Sequence, residues 1–230
     1  MRSYDLNIVY FGKDDGKNAR ALSHWTQFHH DDHKSFGFWR IDPADKHVAD
    51  AMGIELEHLV LYRSTDSKLL PYGAPVYSGK MLRDWIFLHA FPPAPIMTEF
   101  HAQRFVEHQF PVFILWVKDT FKPATLNMID EFEKAAGDLQ DNQYLGLIAE
   151  IGPRHPVDEK LAKEMELRPK KDLPCVKFYN PVGSSKIRND HEVFEQYTLR
   201  GTITKETIHA FMAGIKYTQH YLMTKPDQQK

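Results

Sequence analysis

Short apolar runs and helically spaced apolar stripes alternate along the first part of the chain. The runs predict strands, and the stripes with their polar caps predict helices. Strands are predicted at residues 6–11, 36–41, 58–62 and 69–72, and helices at residues 19–30, 43–52 and 78–88. Asp42 and Pro43 start the second helix and Gly53 ends it. The predicted buried stripe of the third helix consists of Met81, Trp85, Ile86 and Leu88.

The second part of the chain repeats this order of elements. Residues 110–117, PheProValPheIleLeuTrpVal, are typical of a strand that is buried on both faces of a sheet. Strands are predicted at residues 96–100, 110–117, 144–151, 175–179 and 194–199, and helices at residues 101–109, 126–139, 156–165 and after Thr204. Residues 91–95, PheProProAlaPro, cannot continue a helix. We therefore expect one domain over residues 1–92 and a second over residues 93–230.

Charge and hydropathy exclude several classes of partner. Lys and Arg number 29 and Asp and Glu number 31, so no overall field attracts nucleic acid or an anionic membrane. The chain contains no run of the roughly 18 apolar residues that a membrane span needs. Residues 1–7 lack the apolar segment of a signal peptide. We expect no nucleic-acid or membrane partner.

The repeated order of a βαβ unit and a ββα unit resembles the thioredoxin fold. In detail, the chain resembles the paired non-catalytic b and b′ domains of the protein disulfide isomerases of the endoplasmic reticulum. The stretches that carry the resemblance are residues 6–12, 36–42, 58–63, 96–100 and 201–208. The resemblance implies an α/β fold with two tandem thioredoxin-like domains, each a mixed central sheet flanked by helices. It also implies a location in the endoplasmic reticulum lumen.

Active members of this family carry Cys-x-x-Cys at the start of the helix that follows the central strand. There, the helix dipole and the backbone N–H groups lower the pKa of the first thiol. The matching stretches here are residues 12–18 and 118–124, and neither contains a cysteine. Without a thiolate and a resolving thiol, disulfide exchange cannot proceed. We therefore expect this chain not to be an enzyme by itself.

The chain has one cysteine, Cys175, which follows Pro174. Pro174 matches the proline that is usually cis in thioredoxin-like domains, in a loop that lies against bound substrate in active members. His58 and Leu59 stand at this position in the first half. Two hypotheses remain: Cys175 is the lone nucleophile of a monothiol redox enzyme, or it is a small apolar residue that begins a buried strand. Rapid thiol labelling at neutral pH would favour the first.

The resemblance also implies an apolar client-binding groove between the first and third helices of the second domain. By matching positions, the groove residues are Phe100, Phe105, Leu161, Met165 and Tyr179. Aromatic and thioether surfaces bind apolar side chains without reading sequence. We expect the partners to be unfolded or partly folded polypeptides, or a chaperone partner. Phe105, Leu161 and Met165 have helical spacing, which also fits ordinary core positions.

Three histidines, His29, His30 and His33, lie close together in sequence and could suggest a metal site. No second cluster completes such a site, and a solvated helix end explains the pattern better. We expect no metal and no cofactor. The sequence thus predicts a redox-inactive, polypeptide-binding region, either as a segment of a longer isomerase or as a short non-catalytic relative.

Overall fold

The computed structural model describes residues 6–13, 17–28, 36–73, 79–98, 110–140, 142, 144–152, 162–163, 166–181 and 194–224. The chain divides into two compact units, Met1–Pro92 and Pro93–Lys230. They are called the first and second unit below, and each is described by itself.

The first unit is a four-stranded mixed sheet with helices. Its elements are β1 (Leu6–Phe11), α1 (Lys17–Phe28), β2 (Phe36–Ile41), α2 (Lys46–Ala51), β3 (Leu59–Arg63), β4 (Lys68–Pro71) and α3 (Gly79–His89). The strand order is β2-β1-β3-β4. Strand β1 runs parallel to β2 and antiparallel to β3, and β3 pairs antiparallel with β4.

Both faces of this sheet are covered, because successive side chains of a strand point to opposite faces. Ile8 and Tyr10 of β1 pack with Leu82 and Ile86 of α3 on one face. On the other face, Val9 and Phe11 of β1 pack against apolar residues of the short helix α2, of the segment after it and of β3. That smaller cluster consists of Val9, Phe11, Ala49, Ile54 and Val60.

The helix predicted over residues 43–52 is divided in the structure. A single 3-10 turn, Pro43–Asp45, precedes α2. The Asp42 side chain accepts a hydrogen bond from the Ala44 backbone N–H at 2.9 Å, so the predicted cap is present. Gly53 adopts a φ of 66° after the helix, a conformation that costs other residues more than glycine.

The prediction that Met81 lies on the buried stripe of α3 is wrong. Met81 is 54% exposed, whereas Leu82 is fully buried together with Ile86 and Leu88. One helical residue advances the side-chain direction by about 100°. An error of one position in the stripe therefore exchanges an interior residue for a surface residue.

The second unit repeats the same topology. Its elements are β5 (Val112–Val117), α4 (Pro123–Gln140), β6 (Leu145–Glu150), α5 (Pro169–Asp172), β7 (Cys175–Pro181), β8 (Phe194–Leu199) and α6 (Lys205–Thr224). The strand order is β6-β5-β7-β8. Strand β5 runs parallel to β6 and antiparallel to β7, and β7 and β8 pair antiparallel.

A short segment before β5 adds to the edge of this sheet. Ile96 forms one isolated parallel bridge with Ile148 of β6. The Met97 N–H donates to the Ile148 carbonyl at 2.7 Å, and the Ile148 N–H donates to the Pro95 carbonyl at 3.0 Å. The described part of the predicted strand at 96–100 is therefore a single bridge, and residues 99–100 lie outside the described residues.

The main core of the second unit lies between its sheet and the helices α4 and α6. Phe113 of β5 and Phe132 of α4 pack with ring centroids 5.1 Å apart. Ile208 and Met212 of α6 belong to the same buried cluster. The Thr204 hydroxyl accepts from the Thr207 N–H at 3.3 Å and caps α6, as the sequence predicts.

Candidate functional site

The connection between β5 and α4 stands where active thioredoxin-like domains would carry their thiols. It contains no sulfur, since Cys175 is the only cysteine of the chain. The Thr120 hydroxyl and backbone N–H donate to Oε2 of the buried Glu150, at 2.6 and 3.2 Å. The Phe121 N–H donates to Asp119 Oδ1 at 3.0 Å. Hydroxyl, amide and carboxylate groups therefore hold this loop, and none of them can exchange disulfides.

Sequence reasoning missed two exposed apolar side chains at the start of α4. Phe121 is 68% exposed and Leu126 is 51% exposed. One feature of the sequence indicates that Phe121 is exposed. It lies in a polar connecting segment, outside both the apolar run of the strand and the apolar stripe of the helix. An aromatic residue in such a loop does not serve the core, so it is a candidate contact residue.

The segment that contains Pro174 lies at the same end of the sheet as the β5–α4 loop. The peptide bond between Leu173 and Pro174 is cis. Cys175 pairs with Trp116 in the antiparallel register of β5 and β7. Pro174 therefore stands next to the point where β5 ends, and its side chain is exposed.

Cys175 itself is interior. Its exposed fraction is 0%, and burial raises the pKa of its thiol to about 11, against the smaller opposing effect of the Lys177 charge. A thiol with that pKa is ionised in about one molecule in 10,000 at pH 7. Because the thiolate is the nucleophile, Cys175 is poorly suited to redox chemistry in this fold.

Cys175, Lys177 and Tyr179 alternate along β7 and point to the sheet face opposite the α4 and α6 core. Tyr179 is 1% exposed, so this predicted groove residue lies in the interior of the second unit. Burial raises the pKa of its phenol well above the usual value.

The other predicted groove residues, Phe100, Phe105, Leu161 and Met165, lie outside the described residues, as do His29, His30 and His33. Ala162, which follows Leu161, is fully buried, and its carbonyl accepts from the Leu167 N–H at 2.8 Å.

Within the described ranges, no group of three or more histidine, cysteine, aspartate or glutamate side chains is placed to hold a metal ion.

A polar cavity of about 340 Å³ opens beside β7 and β8. Its lining consists of Glu166, Leu167, Arg168, Asp172, Lys177, Gln196, Thr198 and Arg200. Lys177 is only 6% exposed. Its Nζ donates to Gln196 Oε1 at 3.0 Å and lies 5.5 Å from the Tyr179 ring centroid. Burial lowers the pKa of Lys177, while nearby acidic groups, Glu166 among them, raise it.

Asp172 joins the two arginines of this cavity. Its side chain is 5% exposed and accepts from Arg200 Nη2 at 2.7 Å and from the Arg168 backbone N–H at 2.8 Å. The Arg168 guanidinium lies 3.3 Å away. Hydrogen bonds from the Arg168 backbone and side chain hold the pKa of the Asp172 carboxyl below its usual value.

Two four-stranded mixed sheets flanked by helices, joined in tandem, define a pair of thioredoxin-like domains, as the sequence predicted. The bb fragment of ERp72 is similar over 93% of this chain and 89% of its own, with a TM-score of 0.51 and 15% identity. Human ERp44 is similar over 94% of this chain, with a TM-score of 0.45 and 16% identity. ERdj5 is also similar over 94% of this chain, with a TM-score of 0.39 and 15% identity.

These similar structures are thioredoxin-like proteins of the protein disulfide isomerase family, resident in the endoplasmic reticulum. At 15% identity, the likeness to the ERp72 fragment establishes the fold. The chain spans 57% of the ERp44 chain and 28% of the ERdj5 chain. No protein-family model and no curated protein matches the sequence. No helix within the described residues is long and apolar enough to cross a membrane.

Proposed function

We propose that this chain is a redox-inactive module that binds non-native polypeptides, as the tandem non-catalytic region of a protein disulfide isomerase, in the endoplasmic reticulum lumen. The main support for this proposal comes from residues 12–18 and 118–124, the two loops that match the position of the Cys-x-x-Cys pair in active members. Neither loop contains a cysteine. The remaining thiol, Cys175, is buried. Binding, rather than disulfide exchange, is the function that this fold can still perform.

The proposed binding surface lies on the second unit. Its residues are Phe100, Phe105, Leu161 and Met165, and the exposed Phe121 extends the candidates to the start of α4. Tyr179 is interior, so we do not include it among the residues that contact a bound polypeptide. A bound segment would gain about 25 cal/mol for each Å² of apolar area removed from water.

The proposal favours broad rather than selective binding. Apolar contacts are non-directional, and methionine repacks around different partners. Part of the gain is lost in ordering a flexible client, so dissociation constants of the order of micromolar are expected. In a longer parent protein, domains with Cys-x-x-Cys pairs would supply the thiol chemistry that this chain lacks.

A binding titration tests the proposal. A fluorescently labelled polypeptide, reduced and carboxymethylated so that it stays unfolded, is titrated with the full chain and followed by fluorescence anisotropy. Phe105→Ala, Met165→Ala and Phe121→Ala are each expected to raise the dissociation constant severalfold while the circular dichroism spectrum is unchanged. Met81→Ala, which removes a 54% exposed methionine of the first unit, is the matched control and should bind as wild type. Equal binding by all four variants would exclude this surface.

A further inference from the structure

Residues 89–97, called the connecting segment below, contain the point where the chain passes from the first unit to the second. Helix α3 ends at His89, and Pro92, Pro93 and Pro95 follow. A proline has no backbone N–H and cannot donate a hydrogen bond to a helix or a strand. The contacts that hold this segment therefore depend largely on its carbonyl groups and on side chains of the surrounding protein.

Arg63, the last residue of β3, binds the first part of the connecting segment. Its side chain is 1% exposed, and its Nη1 donates to the His89 carbonyl at 2.9 Å and also to the Phe91 carbonyl. The Asp66 carboxylate accepts from Nε and Nη2, which fixes the plane of the guanidinium. One side chain thus attaches residues 89–91 to the sheet of the first unit.

The second part of the connecting segment is held by the second unit. Ala94 is 3% exposed and belongs to the core cluster of that unit. The backbone of Ile148 in β6 forms hydrogen bonds with both the Pro95 carbonyl and the Met97 N–H. Residues 94–97 are therefore attached to the second unit by burial and by backbone hydrogen bonds.

Pro92 is the residue that lies between these two sets of contacts. Pro93 already borders α4, because a Cβ at Gly137 would lie 3.8 Å from Pro93 Cγ. The pyrrolidine ring fixes φ of Pro92 and Pro93 near −65°. Phe91 and Pro92 each precede a proline, which restricts ψ to extended values. The backbone of the connecting segment therefore keeps little freedom while both sets of contacts are present.

We propose that Arg63 is a positioning residue for the connection between the two units. It attaches residues 89–91 to the first unit through the Phe91 carbonyl, so that the free part of the connection is limited to Pro92. Without Arg63, the free part would extend from the end of α3 to Pro93 and would contain residues 90, 91 and 92. This inference does not depend on polypeptide binding.

The guanidinium group is suited to this role. Its five N–H donors form a rigid planar fork, which binds the Asp66 carboxylate on one side and two carbonyls on the other. A lysine has the same charge, but its ammonium is a compact group that cannot reach all of these acceptors. Arg63→Lys therefore separates the geometry of the side chain from its charge.

NMR relaxation of the isotope-labelled full chain tests the proposal. In wild type, the backbone order parameters of Phe91 and Ala94 should both be near the rigid value of about 0.85. In Arg63→Lys, the value for Phe91 should fall below about 0.6, whereas the value for Ala94 should not change. Arg40→Lys, at a guanidinium that is 39% exposed, is the matched control and should leave both values unchanged.

A second variant separates the effect of Arg63 from the stiffness of the prolines. Pro92→Gly removes the proline ring but leaves the hydrogen bonds of Arg63 in place, so the order parameter of Phe91 should stay near the wild-type value. A decrease as large as that in Arg63→Lys would show that the prolines order this segment and would overturn the proposal. The order parameters of the core residues Ile8 and Leu61 show whether Arg63→Lys keeps the first unit folded.

Asp66→Asn provides the test if Arg63→Lys does not fold. The Asp66 side chain is 25% exposed, and the change weakens the hold on the guanidinium without removing it. The order parameter of Phe91 should then fall by a smaller amount, while that of Ala94 stays unchanged. A low order parameter for Phe91 in wild type would overturn the proposal. Unchanged values in every folded variant of Arg63 and Asp66 would also overturn it.

Discussion

The two units share a topology but use a buried cation differently. In the first unit, Arg63 ends β3 and is 1% exposed. Its Nε and Nη2 donate to the two oxygens of Asp66 at 2.8 and 2.6 Å. Its Nη1 donates to the carbonyls of His89, at 2.9 Å, and Phe91. In the second unit, Lys177 of β7 is 6% exposed, donates to an amide and lines a cavity.

The difference separates a cation that binds a carboxylate and two carbonyls from one that donates to a neutral amide in the wall of a cavity. Arg63 satisfies the carbonyls at the end of α3 and joins the β3–β4 hairpin to that helix end. A guanidinium suits this task because its donors form a rigid planar fork. Lys177 is a point charge that donates to the Gln196 amide and lines a polar cavity. The same fold thus buries one cation against a carboxylate and two carbonyls, and the other beside an amide.

The largest expected effect is the loss of stability on Arg63→Met. The change leaves two carbonyls and the Asp66 carboxylate without their donor, and removing one partner of a buried pair costs about 3–5 kcal/mol. Urea unfolding followed by tryptophan fluorescence measures it, because Trp25, Trp39 and Trp85 lie in the first unit. Arg40→Met, at a guanidinium that is 39% exposed, is the control and should cost less than about 1 kcal/mol. A similar small loss for Arg63→Met would refute the structural role.

The next largest effect concerns Cys175. Cys175→Ser places a hydroxyl at a fully buried position, and an unsatisfied buried polar group costs about 1–3 kcal/mol. Denaturant unfolding monitored by circular dichroism measures the loss. Wild-type Cys175 should also react with a thiol reagent at neutral pH only as fast as the second unit opens. Stoichiometric labelling within seconds under native conditions would revive the monothiol hypothesis.

The contribution of Asp172 should depend on pH. Its folded-state pKa is lowered by hydrogen bonds from Arg168, so the ionised carboxylate stabilises the fold above its unfolded pKa, near 3.8. This stabilisation is lost as the pH falls from that value through the folded pKa. The stability difference between wild type and Asp172→Asn should therefore be present at pH 6 and shrink below pH 4. Unfolding curves at both pH values measure it, and a difference that is independent of pH would contradict this assignment.

The smallest stability effect is expected for Lys177→Met. Lys177→Met removes a hydrogen bond to a neutral amide, worth about 1.5–3 kcal/mol, but also relieves the cost of burying a charge, so the net loss should stay below that of Arg63→Met. Urea unfolding of both variants followed by circular dichroism, which reports on both units, gives the comparison. A loss as large as that of Arg63→Met would show that both cations are structural and would remove the contrast between the units.

Much of the fold follows from local patterns. Strands β1, β2 and β8 have the predicted bounds, because each is a short apolar or alternating run between turn residues. Helix α4 begins at Pro123, three residues before its predicted start at residue 126, since proline is favoured in the first turn. The apolar stripe alone does not show that the first turn of α4 begins at Pro123. Helix bounds therefore depend on capping details that hydropathy does not record.

The polar cavity could not be predicted from the sequence. Alternation along β7 indicates that Lys177 shares a face with Cys175 and Tyr179, and such a polar residue usually indicates an exposed face. Its burial depends on segment 166–172 and on the pairing of β8, which are brought together only in the folded chain. Phe121 was missed for a related reason, because a loop residue has no periodic partner that reveals its exposure.

One titration tests the central claim that the chain binds polypeptide through apolar surface and without sulfur chemistry. The reduced, carboxymethylated polypeptide is titrated with wild type, Cys175→Ala and Phe105→Ala under identical conditions. We expect Cys175→Ala to bind as wild type and Phe105→Ala to bind severalfold more weakly. Loss of binding in Cys175→Ala with unchanged binding in Phe105→Ala would contradict it.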